Sequence, residues 1–242
     1  MKQVDYGIDK PERVRSFGMV GLVLIAGGLA SFIALRSNSQ AWAELVLSIS
    51  LWIGILLLII AAIMMWSSKS GKYGLSSKML DELKWKGQEK VLDVGCGRGM
   101  LTILAARKVP SGDVTGVDIW NQEQLSDNFM DAAFENARIE EVSERVSFVD
   151  GDARELNFRS NTFDKVISSL TLHSIGKRND RNKVLTNLIK VLKSGGEIAI
   201  MDILHTNEYM EVMKKQGMRD IRRSPMKFLY CLPTRYVIGQ KP

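Results

Sequence analysis

Cysteine is almost missing from this chain of 242 residues: only Cys96 and Cys231 occur, far apart. Two thiols so placed make neither a disulfide framework nor the paired spacing of a zinc site, and both suit a reducing compartment. Histidine is equally scarce, with His173 and His205 alone, and no metal-binding cluster is expected. No internal repeat, low-complexity tract or RNA-binding module is visible. Cys96 has no base beside it in sequence, which argues against a thiol nucleophile and for a small residue suited to a tight turn. Charge is not lacking: the formal net charge is +6.

Two stretches lack charge altogether. Ser16 to Leu35 and Leu45 to Trp66 contain no Asp, Glu, Lys or Arg. About 20 apolar residues at ~1.5 Å per residue cross the hydrocarbon core, so both read as transmembrane helices joined by a short connection, Arg36 to Glu44. The first carries Gly18, Gly21, Gly27 and Gly28, small residues that let helices approach closely in lipid. Trp66 ends the second, at the depth where indole is favoured. Lys2, Lys10, Arg13 and Arg15 precede the first stretch, and Lys69, Lys72 and Lys78 come after the second. The positive-inside rule then places both termini in the cytoplasm. Two rival readings stay open: a cleaved signal peptide ending near Ala41-Trp42-Ala43, and a buried helical hairpin of a soluble protein.

The remaining two thirds of the chain have a different texture. Val91-Leu92-Asp93-Val94-Gly95-Cys96-Gly97-Arg98-Gly99 is a short apolar strand that enters a turn with glycine at alternate positions, followed by an apolar helical run from Met100. Glycine lets the backbone turn sharply and approach a ligand, and a helix that starts there aims its N-terminal amides back at the turn. The spacing is G-x-G-x-G, not the G-x-G-x-x-G of dinucleotide sites. Asp113-Val114-Thr115-Gly116-Val117-Asp118 is a second strand ending in a carboxylate about 20 residues after the turn, where nucleotide-binding βαβ units hold the ribose. Val146 to Ala153 is a third strand and turn, Phe163 to Leu170 a fourth, and Leu192 to Asp202 a helix end, Gly-Gly turn and fifth strand.

These five segments, in this order, resemble the class I S-adenosylmethionine-dependent methyltransferases of the small-molecule type, including the quinone-methylating enzymes, over roughly residues 73 to 242. Ser194 departs from the pattern, since a proline is common before the Gly-Gly. The resemblance implies a Rossmann-like α/β fold: a mostly parallel seven-stranded sheet with helices on both faces, preceded here by a transmembrane helical hairpin. The expected division is an anchor at 1–66 with spans at about 16–35 and 45–66, a linker at 67–78, and a methyltransferase domain at 79–242. Strands are expected near 90–95, 114–118, 146–150, 164–170 and 197–203, with a closing pair near 219–224 and 234–240. Helices are expected near 75–83, 99–108, 122–139, 180–193 and 206–216.

The resemblance also implies S-adenosylmethionine as cofactor. Gly95, Cys96, Gly97 and Gly99 would cradle it, Asp118 and Ile119 would meet its ribose and adenine, and Asp152 and Ala153 its adenine; Ser169 lies at the end of the fourth strand. Asp93 either reaches the amino group of the methionine tail or braces the glycine turn. Asp152 has the alternative of a turn-forming Asp that bonds its own backbone, and Asp118 that of a solvated strand end. Asp150, the run Ser168 to Ser174 and the C-terminal segment would surround the methyl acceptor. His173 is the candidate acid-base group, since imidazole takes a proton near neutral pH; its alternative is a bond to a neighbouring loop. His205 reads as a loop or helix-cap residue.

The segment from Lys214 to Pro242 holds Lys214, Lys215, Arg219, Arg222, Arg223, Lys227, Arg235 and Lys241 against the single acid Asp220. Such a surface suits anionic lipid better than nucleic acid, because stacking aromatics are sparse there (Phe228, Tyr230, Tyr236); a plain solvated edge is the alternative. The expected protein is a cytoplasm-facing, membrane-anchored methyltransferase acting on a small lipophilic acceptor. A methyltransferase for a soluble metabolite or a protein, and a non-catalytic cofactor-binding membrane protein, are its rivals. A nicotinamide dehydrogenase is disfavoured by the glycine spacing and by the absence of a Tyr-x-x-x-Lys pair.

Overall fold

A computed structural model describes residues 3–229 and 232–242; Lys2, Tyr230 and Cys231 lie outside the described residues. The chain opens with a short extended strap, residues 3–10, and then forms two long antiparallel helices, α1 (Pro11–Leu35) and α2 (Gln40–Trp66). Both are longer than the uncharged stretches, so the connection shrinks to a turn at 36–39. Their seam is built from glycine. A Cβ on Gly21 would stand 2.8 Å from the Gly54 carbonyl oxygen, and one on Gly28 would stand 2.5 Å from Ser50 Cβ. Gly18 and Gly27 meet nothing within 4 Å, so only two of the four glycines of α1 serve the packing. The outer faces are bare, with Leu22 60% and Trp52 75% exposed. Only 11% and 6% of the most apolar windows of the two helices are buried within the chain.

The stretch expected as a linker is helical. α2 runs through one π-helical segment (Ser67–Gly71) into α3 (Lys72–Asp81), giving a single helical rod from Gln40 to Asp81. A linker is the natural reading of Ser67-Ser68-Lys69-Ser70-Gly71 because the run is polar. Burial overrides that: Ser67 and Ser68 are fully buried, and Leu75, Ser76, Met79 and Leu80 form the inner stripe of α3 at helical spacing.

An eight-stranded sheet comes next, in the order β3-β2-β1-β4-β5-β8-β6, with β7 paired only to β8. Strands β1 (Lys90–Val94), β2 (Asp113–Asp118), β3 (Val146–Asp150), β4 (Phe163–Ser169) and β5 (Leu192–Asp202) are parallel. β8 (Leu232–Gln240) runs antiparallel between β5 and β6 (Arg219–Arg223). The short β7 (Lys227–Leu229) is one strand more than the seven expected. Helices α4 (Met100–Lys108) and α5 (Met130–Ile139) pack with α3 on one face, around Met79, Leu80, Ile103, Leu104 and Ala133. α6 (Arg178–Val191) and α7 (Thr206–Lys215) cover the other, around Val184, Leu188, Tyr209 and Met213. The near-continuous apolar character of β1, β4 and β5 results from this two-sided cover. β1 has β2 on one side and β4 on the other, so the winding reverses there, and a ligand crevice opens beyond the carboxyl ends of these strands.

Two expectations shift. The helix expected at 122–139 starts only at Met130. Trp120 and Asp127 take left-handed backbone, φ 56° and 49°, and the loop between them is held by the strap. Ile8 N–H donates to Ser126 Oγ (2.8 Å), Lys10 N–H donates to the Gln124 carbonyl (2.8 Å), and Asp9 and Leu125 form a β-bridge. β5 begins at Leu192, ahead of the Gly-Gly turn residues Gly195 and Gly196.

Candidate active site

The glycine turn joins β1 to α4. Gly95, Gly97 and Gly99 all have positive φ (74°, 51° and 82°), a conformation that costs other L-residues about 1–2 kcal/mol. Gly95 is also sterically fixed: a Cβ there would lie 2.1 Å from Thr171 Oγ1 and Cγ2. The loop after β4 therefore closes directly on the turn, with Thr171 Oγ1 donating to the Gly95 or Ser169 carbonyl (3.2 and 3.0 Å). Cys96 is buried against Gly116 and Phe148. Burial, with the nearby Asp93 and Asp118 carboxylates, pushes its thiol well above the ordinary value, which leaves it a packing residue.

Asp118, at the carboxyl end of β2, pins the turn. Its Oδ2 accepts from Gly97 N–H (2.7 Å), and its Oδ1 accepts from Trp120 N–H (2.7 Å) and Asn128 Nδ2 (3.2 Å). A carboxylate offers about four acceptor positions, so it retains capacity for a further donor. Ile119, next to it, is 54% exposed. Asp93 is fully buried in β1. Its Oδ2 accepts from Thr102 Oγ1 (2.6 Å), while Oδ1 has no partner. Burial pushes this carboxyl up to about 7, with Asp118 adding to the shift and the Thr102 bond opposing it.

That orphaned oxygen has company. Among the described residues, the buried side-chain polar atoms without a hydrogen-bond partner are Asp93 Oδ1, Arg98 Nε, Trp120 Nε1, Asn128 Oδ1 and His173 Nδ1. All belong to β1, the glycine turn, the loop after β2 or the loop after β4. Buried polar atoms are nearly always paired. Four of the five lie around the glycine turn and the loop after β2, and the fifth, His173 Nδ1, faces Asp202.

Asp152 and Ala153 lie at the end of β3. The Asp152 carboxylate accepts from Arg154 N–H (2.8 Å) and pairs with the Arg154 guanidinium, which holds its pKa below the ordinary carboxylate value. Asp152 thus bonds its own turn, and Ala153 starts the short 3₁₀ turn after it. Ser169 Oγ is 3.5 Å from Ser76 Oγ of α3, so the helical rod reaches the site. Ser168 does not face the crevice: it is buried and donates to the Val94 carbonyl (2.7 Å). Asp150 ends β3, exposed.

His173 sits on a 3₁₀ turn (Leu172–Ser174) after β4, its side chain 18% exposed. Its partner is Asp202, a residue the sequence reading does not single out. Fully buried at the end of β5, Asp202 accepts the His173 N–H (2.9 Å), the Ile203 N–H (2.8 Å) and the Tyr209 hydroxyl (3.0 Å). His173 Nδ1 stands 2.6 Å from Asp202 Oδ1. The two atoms face each other, although the ring N–H is not aligned with that oxygen for a hydrogen bond. With Nδ1 turned to the carboxylate, Nε2 is left as the acceptor. Burial beside Asp202 raises the Tyr209 phenol far above its ordinary value, keeping it a donor. The signal for Asp202 is present in the sequence, a carboxylate closing an apolar strand, as for Asp118. His205 takes the N-cap position of α7 with φ 63° and lies 3.8 Å from Glu208.

Sequence reasoning also misses the strap. Asp5 pairs with Arg98 (3.3 Å), inside the glycine turn. Asn136, 3% exposed, clamps both, donating to the Asp5 and Arg98 carbonyls (2.9 Å each). Lys72 of α3 donates to Asp9 (2.9 Å) and to the Tyr6 carbonyl (3.3 Å). No local pattern in residues 3–10 announces these long-range bonds.

Comparison with known proteins agrees with this geometry. Residues 91–196 match the family model described as "Methyltransferase domain". The demethylmenaquinone methyltransferase of Lactobacillus johnsonii is 33% identical over 130 residues, 53% of this chain and 50% of that one. The chloroplastic 2-phytyl-1,4-beta-naphthoquinone methyltransferase of Arabidopsis thaliana is 29% identical over 158 residues, 64% of this chain and 58% of that one. The chain spans about half the length of the curated relatives it matches. Among solved structures, a SAM-dependent methyltransferase from Aquifex aeolicus superposes with a TM-score of 0.55 at 18% identity, covering 76% of this chain and 98% of that one.

Proposed function

Since this chain carries a class I S-adenosylmethionine-dependent methyltransferase domain, we propose that it transfers the cofactor's methyl group to a small lipophilic acceptor of the quinone class, drawn from the membrane that its two apolar helices span. The observation that carries the reading is the set of four unpaired polar atoms around the glycine turn, on Asp93, Arg98, Trp120 and Asn128. They fit the cofactor. Asp93 and Asn128 offer acceptors, Trp120 and Arg98 donors, Asp118 a remaining lone pair for a ribose hydroxyl, and the start of α4 its free amides. When bound, S-adenosylmethionine supplies an electrophilic methyl on a sulfonium.

The chain's own contribution is alignment and a proton acceptor. Holding two reactants in line removes much of the entropic barrier. His173 would take the acceptor's proton at Nε2, with Asp202 stabilising the resulting imidazolium. The quinone class is supported by the names of the relatives, which include demethylmenaquinone and phytyl-naphthoquinone methyltransferases.

The membrane orientation has structural support of its own. The strap before α1 is bonded to the domain beyond α2. The two ends of the hairpin are therefore on one side, and with basic residues flanking both, the proposed side is the cytoplasm. The same bonds argue against cleavage after α1, which would remove residues that brace the glycine turn.

The test is calorimetric titration of the full chain in lipid nanodiscs with S-adenosylmethionine, with Asp118→Ala as control. Labelled methyl transfer to a demethylated naphthoquinone is then measured in the same discs. Saturable binding lost in the variant, together with transfer, is expected. Binding without transfer to any lipophilic acceptor would favour a non-catalytic sensor, and no binding by folded protein would end the methyltransferase reading.

A further inference from the structure

The fold leaves a set of large apolar side chains uncovered at one corner of the domain: Leu204 (51% exposed) after β5, Met226 (46%) before β7, Phe228 (65%) in β7 and Leu232 (43%) at the start of β8. A monomeric soluble surface scatters such residues singly; gathered ones mark a contact. What they contact is indicated by where the β7–β8 hairpin is attached. Leu229 points inward from β7 and is 4% exposed, packed in the cluster that holds Leu75 and Met79 of α3. Its Cδ2 would lie 2.8 Å from a Cβ on Gly71, and the Trp66 ring would lie 3.3 Å from that same point. Trp66 is the last residue of α2 and of its apolar run. The hairpin is thus fastened to the helical rod within about one and a half turns of where α2 leaves the apolar zone. Strand alternation turns Phe228 away from Leu229 and outward.

Behind this lip is a cavity of about 380 Å³. Its walls include Asp202, Leu204, Met226, Pro233 and two guanidinium side chains, Arg223 and Arg235. One of its walls, Asp202, is the buried partner of His173.

We propose that the β7–β8 hairpin and Leu204 form a membrane-inserted lip, seated in the interfacial layer of an anionic bilayer, so that the cavity behind it receives the polar head of a lipid-dissolved acceptor directly from the membrane. Trp66, itself exposed, links the hairpin to the apolar outer face of α2, and the charges beside the lip (Lys227, Arg223 and Arg235) match anionic headgroups. Apolar side chains ringed by basic ones are what an interfacial contact requires. The proposal rests on the reading that α1 and α2 span the membrane. It adds that the domain is held down at a second point rather than swinging from its anchor.

The test is spin labelling of the full chain in vesicles of mixed zwitterionic and phosphatidylglycerol lipid, in a Cys231→Ser background, Cys96 being buried. Three variants are compared: Phe228→Cys at the lip, Ile53→Cys in the middle of α2, and Lys190→Cys on exposed α6. Collision with oxygen relative to a water-soluble nickel chelate reports depth. At position 228 the oxygen-to-nickel ratio should rise well above that at 190, towards that at 53, and should fall when phosphatidylglycerol is omitted. If 53 reads as buried in lipid while 228 matches 190, the anchor stands and the lip is wrong. A label at 228 shielded from both reagents would mean a protein partner, such as a second copy of the chain, and would also overturn it. If 53 itself is open to nickel, the spanning reading fails and the lip with it.

Discussion

Gly95 and Gly195 separate two costs that sequence alone cannot tell apart. Both have φ near 75°, but a Cβ at 95 strikes Thr171 while nothing lies within 4 Å of one at 195. Gly195→Ala should cost about 1–2 kcal/mol of stability, the left-handed backbone penalty alone, and leave cofactor affinity unchanged. Gly95→Ala should cost more than that in a chemical melt and abolish binding by calorimetry, because Thr171 has to move. Asp93 carries a pH dependence. Its folded pKa of about 7 lies above the ordinary value of 3.8, so the buried neutral carboxyl supports the fold fully below about pH 4. Between there and pH 7 the unfolded chain has released the proton while the folded one keeps it. Stability therefore falls across that window, by up to about 1.4 kcal/mol per pH unit, and levels off once the folded group ionises above 7. Melts of the ligand-free protein from pH 5 to 8.5 should show the decline and the plateau, and Asp93→Asn should flatten both. At His173, substitution by Ala should lower kcat about a hundredfold with little change in KM, the usual scale for a lost proton acceptor. Asp202→Asn should lower kcat less and move the pH profile, since it removes the charge beside Nδ1 and keeps the backbone bond. An unchanged profile would reduce Asp202 to a structural brace.

At the scale of elements, the parallel strands β1 to β4 and the helices α4, α6 and α7 are readable to within a few residues, because their apolar patterns are local. Two elements depart from their expected form for one reason. The polar run 67–71 and the irregular run 119–129 owe their conformation to partners far along the chain: the strap, Leu229 and the serine-lined face of the rod. The strap itself has a measurable role. Asp5 is 61% exposed as a side chain, so its single ion pair with Arg98 is worth only about 0–1 kcal/mol, and Asp5→Asn should be nearly silent. Deleting residues 3–9 removes the Asn136 clamp, the Ser126 bond and the Lys72 pair together. Cofactor affinity should then fall roughly tenfold, about 1.4 kcal/mol, in titrations of the otherwise full chain.

The whole molecule is a rod and a sheet joined by the continuous helix Gln40–Asp81, by the strap and by Leu229 of β7. A catalytic domain on a slack tether gains from the membrane only a raised local acceptor concentration; one fixed at both ends of its hairpin can also hold its crevice at a set height. With both ends on one side, a thiol introduced at Asp9 and one at Lys190 should react with an impermeant maleimide from the same face of sealed vesicles. A thiol at Asn38, in the turn between the helices, should react from the other. Reaction of all three from one face would leave the hairpin on the surface instead of across the bilayer.

The glycine turn, the carboxylate closing β2, the alternation of strand and helix and the two long apolar helices are all legible in the sequence. Each is a statement about neighbours, a local backbone need or a short-period apolar pattern. Only tertiary structure decided that Asp118 pins Gly97, that Asp152 turns back on Arg154, that Asp202 stands behind His173, and that residues 3–10 lace the helical hairpin to the glycine turn. These depend on which strand ends converge at the reversal beside β1, and on side chains more than a hundred residues apart in sequence meeting in space. Convergence of that kind arises from the closed packing of the whole chain, so no window of the sequence can contain it.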